Sequence, residues 1–232
     1  VLTVDILTIF PAIFDSFLST SLIAKAAQRG LFSAQVVDIR SFAAPPHYSV
    51  DDTPYGGGAG MVMRADVLVP AIEASRERTP GTHVVLLSAS GRKFTQQRAL
   101  ELSEKSALTL VCGRYEGVDQ RVVDLVVDEE ICIGDFVLMG GEVPAMALLE
   151  AVLRLRPSVL GNEDSAAFES FSHHPGRAAT RVEAPHYTRP AEYRGLEVPA
   201  VLLSGNHAEV SRWREAQSIT RTRQMRPDLS RD

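Results

Sequence analysis

The chain has 232 residues, 45% of them hydrophobic and 23% charged, which suits one large globular domain, or a medium domain with a small one, and excludes wholesale disorder. No apolar run reaches the length of a bilayer span, no signal-peptide layout opens the chain, and Cys112 and Cys132 lack partners at zinc spacing, so a protein of the reducing cytoplasm without membrane, metal knuckle or disulfide framework is expected. The net charge of −5 hides an asymmetry: residues 1–171 carry 14 basic and 22 acidic side chains, whereas residues 172–232 carry 10 arginines against 7 acids. That basic end suits a polyanion partner, with a solvated helical face as the plainer alternative.

The first 156 residues alternate in type. Leu2–Phe10 reads as a buried strand stopped by Pro11. The spacing of Phe14, Phe17, Leu18, Leu22 and Ala26 predicts a helix over Phe14–Arg29, ended by Gly30. Ala34–Ile39 is a second strand, and the Pro- and Gly-rich stretch Ala43–Gly60 has no period. There follow a helix over Ala65–Glu77, a strand over His83–Leu87, a helix over Thr95–Lys105 and a strand over Leu108–Cys112. A short helix over Asp119–Val127 and a strand over Glu130–Leu138 come next. A helix over Glu142–Leu155, with Pro144 in its first turn, closes the series. Such alternation predicts the α/β class with a mostly parallel sheet. Pro157 to about Pro190 is polar and aperiodic. Beyond it, Asn206–Arg223 predicts a helix, with Asn206 as N-cap and Glu209 completing a capping-box-like pattern. The expected organisation is an α/β body over 1–160, a flexible linker over 161–190 and a small helical basic domain over 191–232.

Parallel α/β sheets bind ligands at the carboxyl ends of their strands. Three strand exits carry glycines there: Leu87–Gly91, Cys112–Gly117 and Ile133–Glu142. Glycine lets the backbone approach a ligand closely, so three such exits in succession predict a shared pocket with walls from Leu87, Ile133 and Leu138. No P-loop and no strand-to-helix G-x-G-x-x-G is present, which disfavours a standard nucleotide triphosphate or dinucleotide site. The glycine run Tyr55–Gly60 matches neither; it reads as a flexible or closely packed surface element, or as a simple linker.

Five segments carry a resemblance: VDDTPYGGGAGMVM (50–63), LVCGRYEGVDQRV (110–122), IGDFVLMGGEVPAM (133–146), PHYTRP (185–190) and VPAVLLSGNHAEVSRWR (198–214). In order along nearly the whole chain, they are similar to those of the bacterial tRNA (guanine-N1)-methyltransferases, of the SPOUT class. The resemblance implies an α/β fold whose sheet holds a deep trefoil knot, and transfer of a methyl group from S-adenosylmethionine to N1 of guanine 37, beside the tRNA anticodon. It implies a homodimer in which two subunits build each site. Carried over by position, the cofactor-binding residues are Leu87, Ser88, Gly113, Glu116, Ile133, Gly134, Asp135, Phe136, Val137, Leu138, Gly140, Gly141 and Pro144. Gly134, Phe136 and Leu138 read the adenine through their backbone, and Glu116 is a contributor to a Mg²⁺ ion.

N1 of guanine is protonated at neutral pH, so a carboxylate must take that proton and a cation must meet the charge left on O6. The resemblance assigns the cation to Arg154. The family's base is an Asp before Ser-Phe. Here the motif reads Phe168-Glu169-Ser170-Phe171, so the assignment falls on Glu169, with Asp164 as the competing candidate. The following stretch is longer than expected and carries His173-His174. Arg177, Arg181, Arg189, Arg194, Arg212, Arg214, Arg221, Arg223 and Arg226 are available for the phosphates of an anticodon loop. Tyr187 and Trp213 read as packing residues, and His186 and His207 as fixing loops. The alternatives are a SPOUT relative modifying another RNA base or ribose, and a non-catalytic RNA-binding dimer.

Overall fold

The structure is a computed structural model that describes residues 1–161, 169–171 and 180–230. Contacts divide the chain into two units, Val1–Gly161 and Asn162–Asp232. In the first, five parallel strands lie in the order β2-β1-β6-β5-β7: β1 is Leu2–Thr8, β2 Phe32–Asp38, β5 His83–Lys93, β6 Ala107–Cys112 and β7 Glu129–Cys132. A two-stranded antiparallel ladder, β3 (Asp51–Asp52) with β4 (Val62–Met63), stands apart from it.

The strands are apolar on both faces because helices cover both. Leu2, Val4 and Ile6 of β1, Val85 and Leu87 of β5, and Leu108, Leu110 and Cys112 of β6 belong to one core. That core is closed by α2 (Ser21–Gln28), α4 (Gln96–Ser103) and α6 (Glu142–Leu153), through Ala26, Leu102, Leu148 and Val152. Their neighbours Leu7, Val84, Leu86 and Val111 face α3 (Ala65–Arg78) and α5 (Gln120–Val126) in a second core. The period of two is what a doubly covered strand requires. The second face also buries Asp5, which accepts from Ser75 Oγ at 2.6 Å and Arg78 Nη1 at 2.5 Å. A buried carboxylate persists only with such partners.

Three elements depart from the expectations. The strand expected over His83–Leu87 runs on to Lys93, so residues 88–91, expected as an exit loop, are a bulge within β5. The helix expected over Phe14–Arg29 is broken: α1 (Asp15–Leu18) ends where Thr20 Oγ1 bonds back to the carbonyl of Ser16, and Ser21, the first residue of α2, takes a φ of 56°. A hydroxyl that competes for a helical carbonyl favours such a stop. The strand expected over Glu130–Leu138 ends at Cys132. Beyond it the chain curls, with Phe136 N donating to Gly134 O at 2.9 Å and the Phe136 ring against Gly134.

In the second unit, α7 (Ala200–Leu203) precedes α8 (His207–Met225), whose N-cap Asn206 accepts from Glu209 N, as expected, while the Asn206 N–H donates to Ser204 Oγ rather than to Glu209. A short hairpin joins β8 (Glu192–Tyr193) to β9 (Leu196–Glu197). Both backbone groups of Val182, in the stretch read as linker, are held by α8: its N–H donates to Thr222 Oγ1 and its carbonyl accepts from Ser218 Oγ. Arg181 pairs with Glu215 of the same helix. Asp164, Phe168, His173, His174 and Arg177 lie outside the described residues.

The register of β5 against β7 shifts between Leu87 and Arg92, and Gly91 sits at that bulge. A Cβ on Gly91 would lie 2.5 Å from backbone atoms of Glu130 and Ile131, which cannot swing aside. We expect Gly91→Ala to destabilise the protein by about 1–3 kcal/mol, the usual effect of overpacking, read as a lower urea midpoint with an unchanged slope.

Candidate functional site

β6 ends at Cys112 and β7 at Cys132, and between them β5 bulges out of its pairing with β7 after Leu87, so three neighbouring strands open into one region. The third chain returns between the first two. Gly141 N donates to Gly113 O at 2.8 Å, and Arg114 and Gly140 form an antiparallel bridge. A Cβ on Gly141 would lie 2.7 Å from Cys112 Cα, 2.9 Å from Gly113 N and 3.1 Å from Leu87 Cβ, so only glycine passes between these two exits.

One buried ion pair ties the exits to β1. Glu142, the first residue of α6, is 1% exposed. Its Oε2 accepts from Arg114 Nε at 2.9 Å and lies 2.9 Å from Arg114 Nη2, while Oε1 accepts from Thr8 Oγ1 at 2.8 Å. Arg114 Nη1 reaches the carbonyl of Met139 at 3.2 Å, and the guanidinium stands 4.6 Å from the centre of the Phe10 ring. Glu142 also meets the positive end of the α6 peptide dipoles. Beside it, burial first and the Glu142 carboxylate second push the Cys112 thiol well above its ordinary value, which removes it as a nucleophile.

Between the exits lies an open cleft of about 390 Å³. Of the predicted cofactor residues, Leu87, Ser88, Gly113, Glu116, Ile133, Gly134, Phe136, Val137, Leu138, Gly140, Gly141 and Pro144 line it. Asp135 does not; its carboxylate pairs with Lys93 Nζ at 2.9 Å. Arg154 and Glu169 are likewise absent from the lining. Arg154 is the C-cap of α6, at the far end from the cleft, and Glu169 belongs to the second unit. Of the glycine run only Gly60 is close-packed, where a Cβ would meet the Glu116 side chain; around Gly56, Gly57 and Gly58 nothing lies within 4 Å.

The cleft offers apolar walls, close backbone and two acids, Glu116 and Glu130. Ser90 Oγ donates to Glu130 at 3.3 Å. That combination suits a flat heteroaromatic group with a polar, positively charged tail. Among the described residues no group of three His, Cys, Asp or Glu side chains could hold a metal ion. Sequence reasoning passed over Arg114, Glu130 and Glu142. The signal for Glu142 was present: an acid directly after Gly-Gly at a helix start. Its partner could not be read without the topology. Tyr187 and Trp213 do pack on each other, with ring centres 6.2 Å apart.

The family described as tRNA (Guanine-1)-methyltransferase TrmD matches residues 2–232 of the chain. A tRNA (guanine-N(1)-)-methyltransferase of Geotalea uraniireducens is 51% identical over 228 residues, spanning 98% of this chain and 90% of the relative. A protein of the same name from Geobacter sulfurreducens is 50% identical, over 97% of this chain and 89% of its own. One from Listeria monocytogenes is 45% identical, over 97% and 91%.

Removing one charge of the buried pair leaves the other unmet. We expect Glu142→Gln to lower stability by about 3 kcal/mol, the low end for a broken buried pair because Arg114 retains some solvent. Chemical denaturation against the parent chain measures it, and a loss below about 0.5 kcal/mol would show the pair to be incidental.

Proposed function

Because the chain belongs to the tRNA (guanine-N1)-methyltransferase family, we propose that its cleft binds S-adenosylmethionine and that the enzyme methylates N1 of a guanine in tRNA, at position 37 beside the anticodon. The observation that carries this reading is the convergence of three strand exits on one cleft, with Gly141 passing where no side chain fits. Apolar Leu87 and Leu138 wall a flat base, the backbone from Ile133 to Leu138 supplies its hydrogen bonds, and Glu116 and Glu130 favour a positively charged donor. The passage of residues 139–142 between β6 and β5 supports reading this region as the trefoil knot of the SPOUT class.

When bound, the donor would supply an electrophilic methyl carbon on a sulfonium sulfur, to be taken up by the deprotonated N1. Glu169 accepts the N1 proton, with Asp164 as the second candidate, and Arg154 stabilises the charge on O6. α6 has 12 residues, about 18 Å at 1.5 Å per residue, with the cleft at its start and Arg154 at its end. No arginine side chain spans that length, which supports a site completed by a second copy of the chain and hence a C2 homodimer. The described donors at Glu116 do not by themselves make a Mg²⁺ site, so no step is assigned to the ion. Both cysteines are buried and unpaired, which fits the cytoplasm. Among the described residues no helix is long and apolar enough to cross a membrane.

Labelled methyl transfer to tRNA with guanine at position 37, compared with tRNA bearing another base there, tests the reaction. We expect transfer only to the first, and transfer to neither would overturn the reading. Glu169→Gln should slow transfer by about 10²–10⁴-fold with donor binding unchanged, the usual contribution of a positioned base. If Asp164→Asn shows that loss instead, the base is Asp164.

A further inference from the structure

The second unit holds a pocket of about 330 Å³ that the reaction does not use. It forms where the chain between Pro185 and Ala191 passes α7 and α8. Val198 N bonds the carbonyl of Ala191 at 2.8 Å and brings the chain after the hairpin back beside it. Leu202 and Val210 supply apolar wall. Tyr187, Arg189 and Arg214 line the same space. Val210 and Arg214 are four residues apart on α8, which places them on one face.

Three properties of this pocket point to one ligand chemistry. Tyr187 touches Trp213 yet remains 48% exposed, so packing does not use up its ring. The guanidinium groups of Arg189 and Arg214 have no acidic partner among the described residues, whereas Arg181 and Arg226 of the same unit are each paired with an acid. Among the described residues no acidic side chain lines the pocket, and the Glu183 carboxylate lies 3.0 Å from Nε2 of the lining His186. A half-exposed aromatic ring that lines one pocket with two planar cations suits a π-faced, anionic ligand.

We propose that this pocket receives one unpaired nucleotide of the substrate tRNA, with its base stacked on Tyr187 and its phosphates held by Arg189 and Arg214. The assignment rests on the reading of the chain as a tRNA methyltransferase and adds a second nucleotide subsite, separate from the methyl-transfer cleft. An unpaired nucleotide fits because a base within a duplex keeps its faces stacked on its neighbours, whereas a loop base offers one to a protein ring. The pocket therefore reads shape and single-strandedness rather than sequence.

Trp213 is the only tryptophan of the chain and touches Tyr187, so its emission reports on the pocket. The experiment titrates the full-length protein with tRNA and follows Trp213 fluorescence, tRNA affinity at several salt concentrations and S-adenosylmethionine binding by calorimetry. We expect saturable quenching of Trp213 in the parent. Tyr187→Leu should weaken tRNA binding roughly tenfold or more, the range for one lost base–aromatic stack, while Tyr187→Phe keeps it. Arg189→Ala and Arg214→Ala should each lower the slope of log affinity against log salt by about one. Donor binding should be unchanged in all four variants. Parental tRNA affinity in Tyr187→Leu, or parental salt slopes in both arginine variants, would overturn the subsite. Neither result touches the methyltransferase reading, which fails separately if the parent binds no donor or transfers no methyl group.

Discussion

The first unit turns on a single buried carboxylate. Glu142 sits at the start of α6, in an interior where an unmet charge is expensive, and it is met by a guanidinium, a hydroxyl and the helix dipole. Those partners come from three separate parts of the chain: Thr8 from the end of β1, Arg114 from the exit of β6, and α6 itself from the chain leaving β7. The start of α6 is therefore set against the ends of β1 and β6, and Gly141 must lie where it touches Cys112 and Gly113. The cleft is the space left once that constraint is obeyed.

The constraint also explains why apolar side chains stand in the open. Phe136, Val137, Leu138 and Met139 are 41–89% exposed, an arrangement that gives up hydrophobic stabilisation. The loop is tied down at its second end, where Arg114 bonds Glu142 and the Met139 carbonyl. What folding leaves unburied is available to a ligand. The rim of the cleft is thus the part of this unit with the most to gain from binding.

Much of this was legible in the residues. The strand and helix alternation gave the parallel sheet because doubly covered strands are continuous apolar runs, as in Ala107–Cys112. The strand exits announced themselves through glycines that the chain needs to pass close to itself. What could not be read has physical reasons. Ile133–Leu138 looks like a strand because apolarity is the signal for burial, but here it serves a cleft. The break at Ser19–Thr20 depends on hydroxyls bonding back to Ser16, which the apolar spacing around them masks. The Arg114–Glu142 pair joins residues distant in sequence, and such a pair exists only once the topology does. The Glu169 assignment came from resemblance, since nothing local distinguishes a base from a solvated acid.

The central claim is that the three strand exits grip one methyl donor. Backbone hydrogen exchange, followed by mass spectrometry on the intact protein with and without S-adenosylmethionine, tests it directly. The account predicts slowed exchange together in 87–91, 112–117 and 132–141, with the far ends of the same strands unchanged. Protection confined to one of these exits, or appearing instead in the second unit, would contradict it.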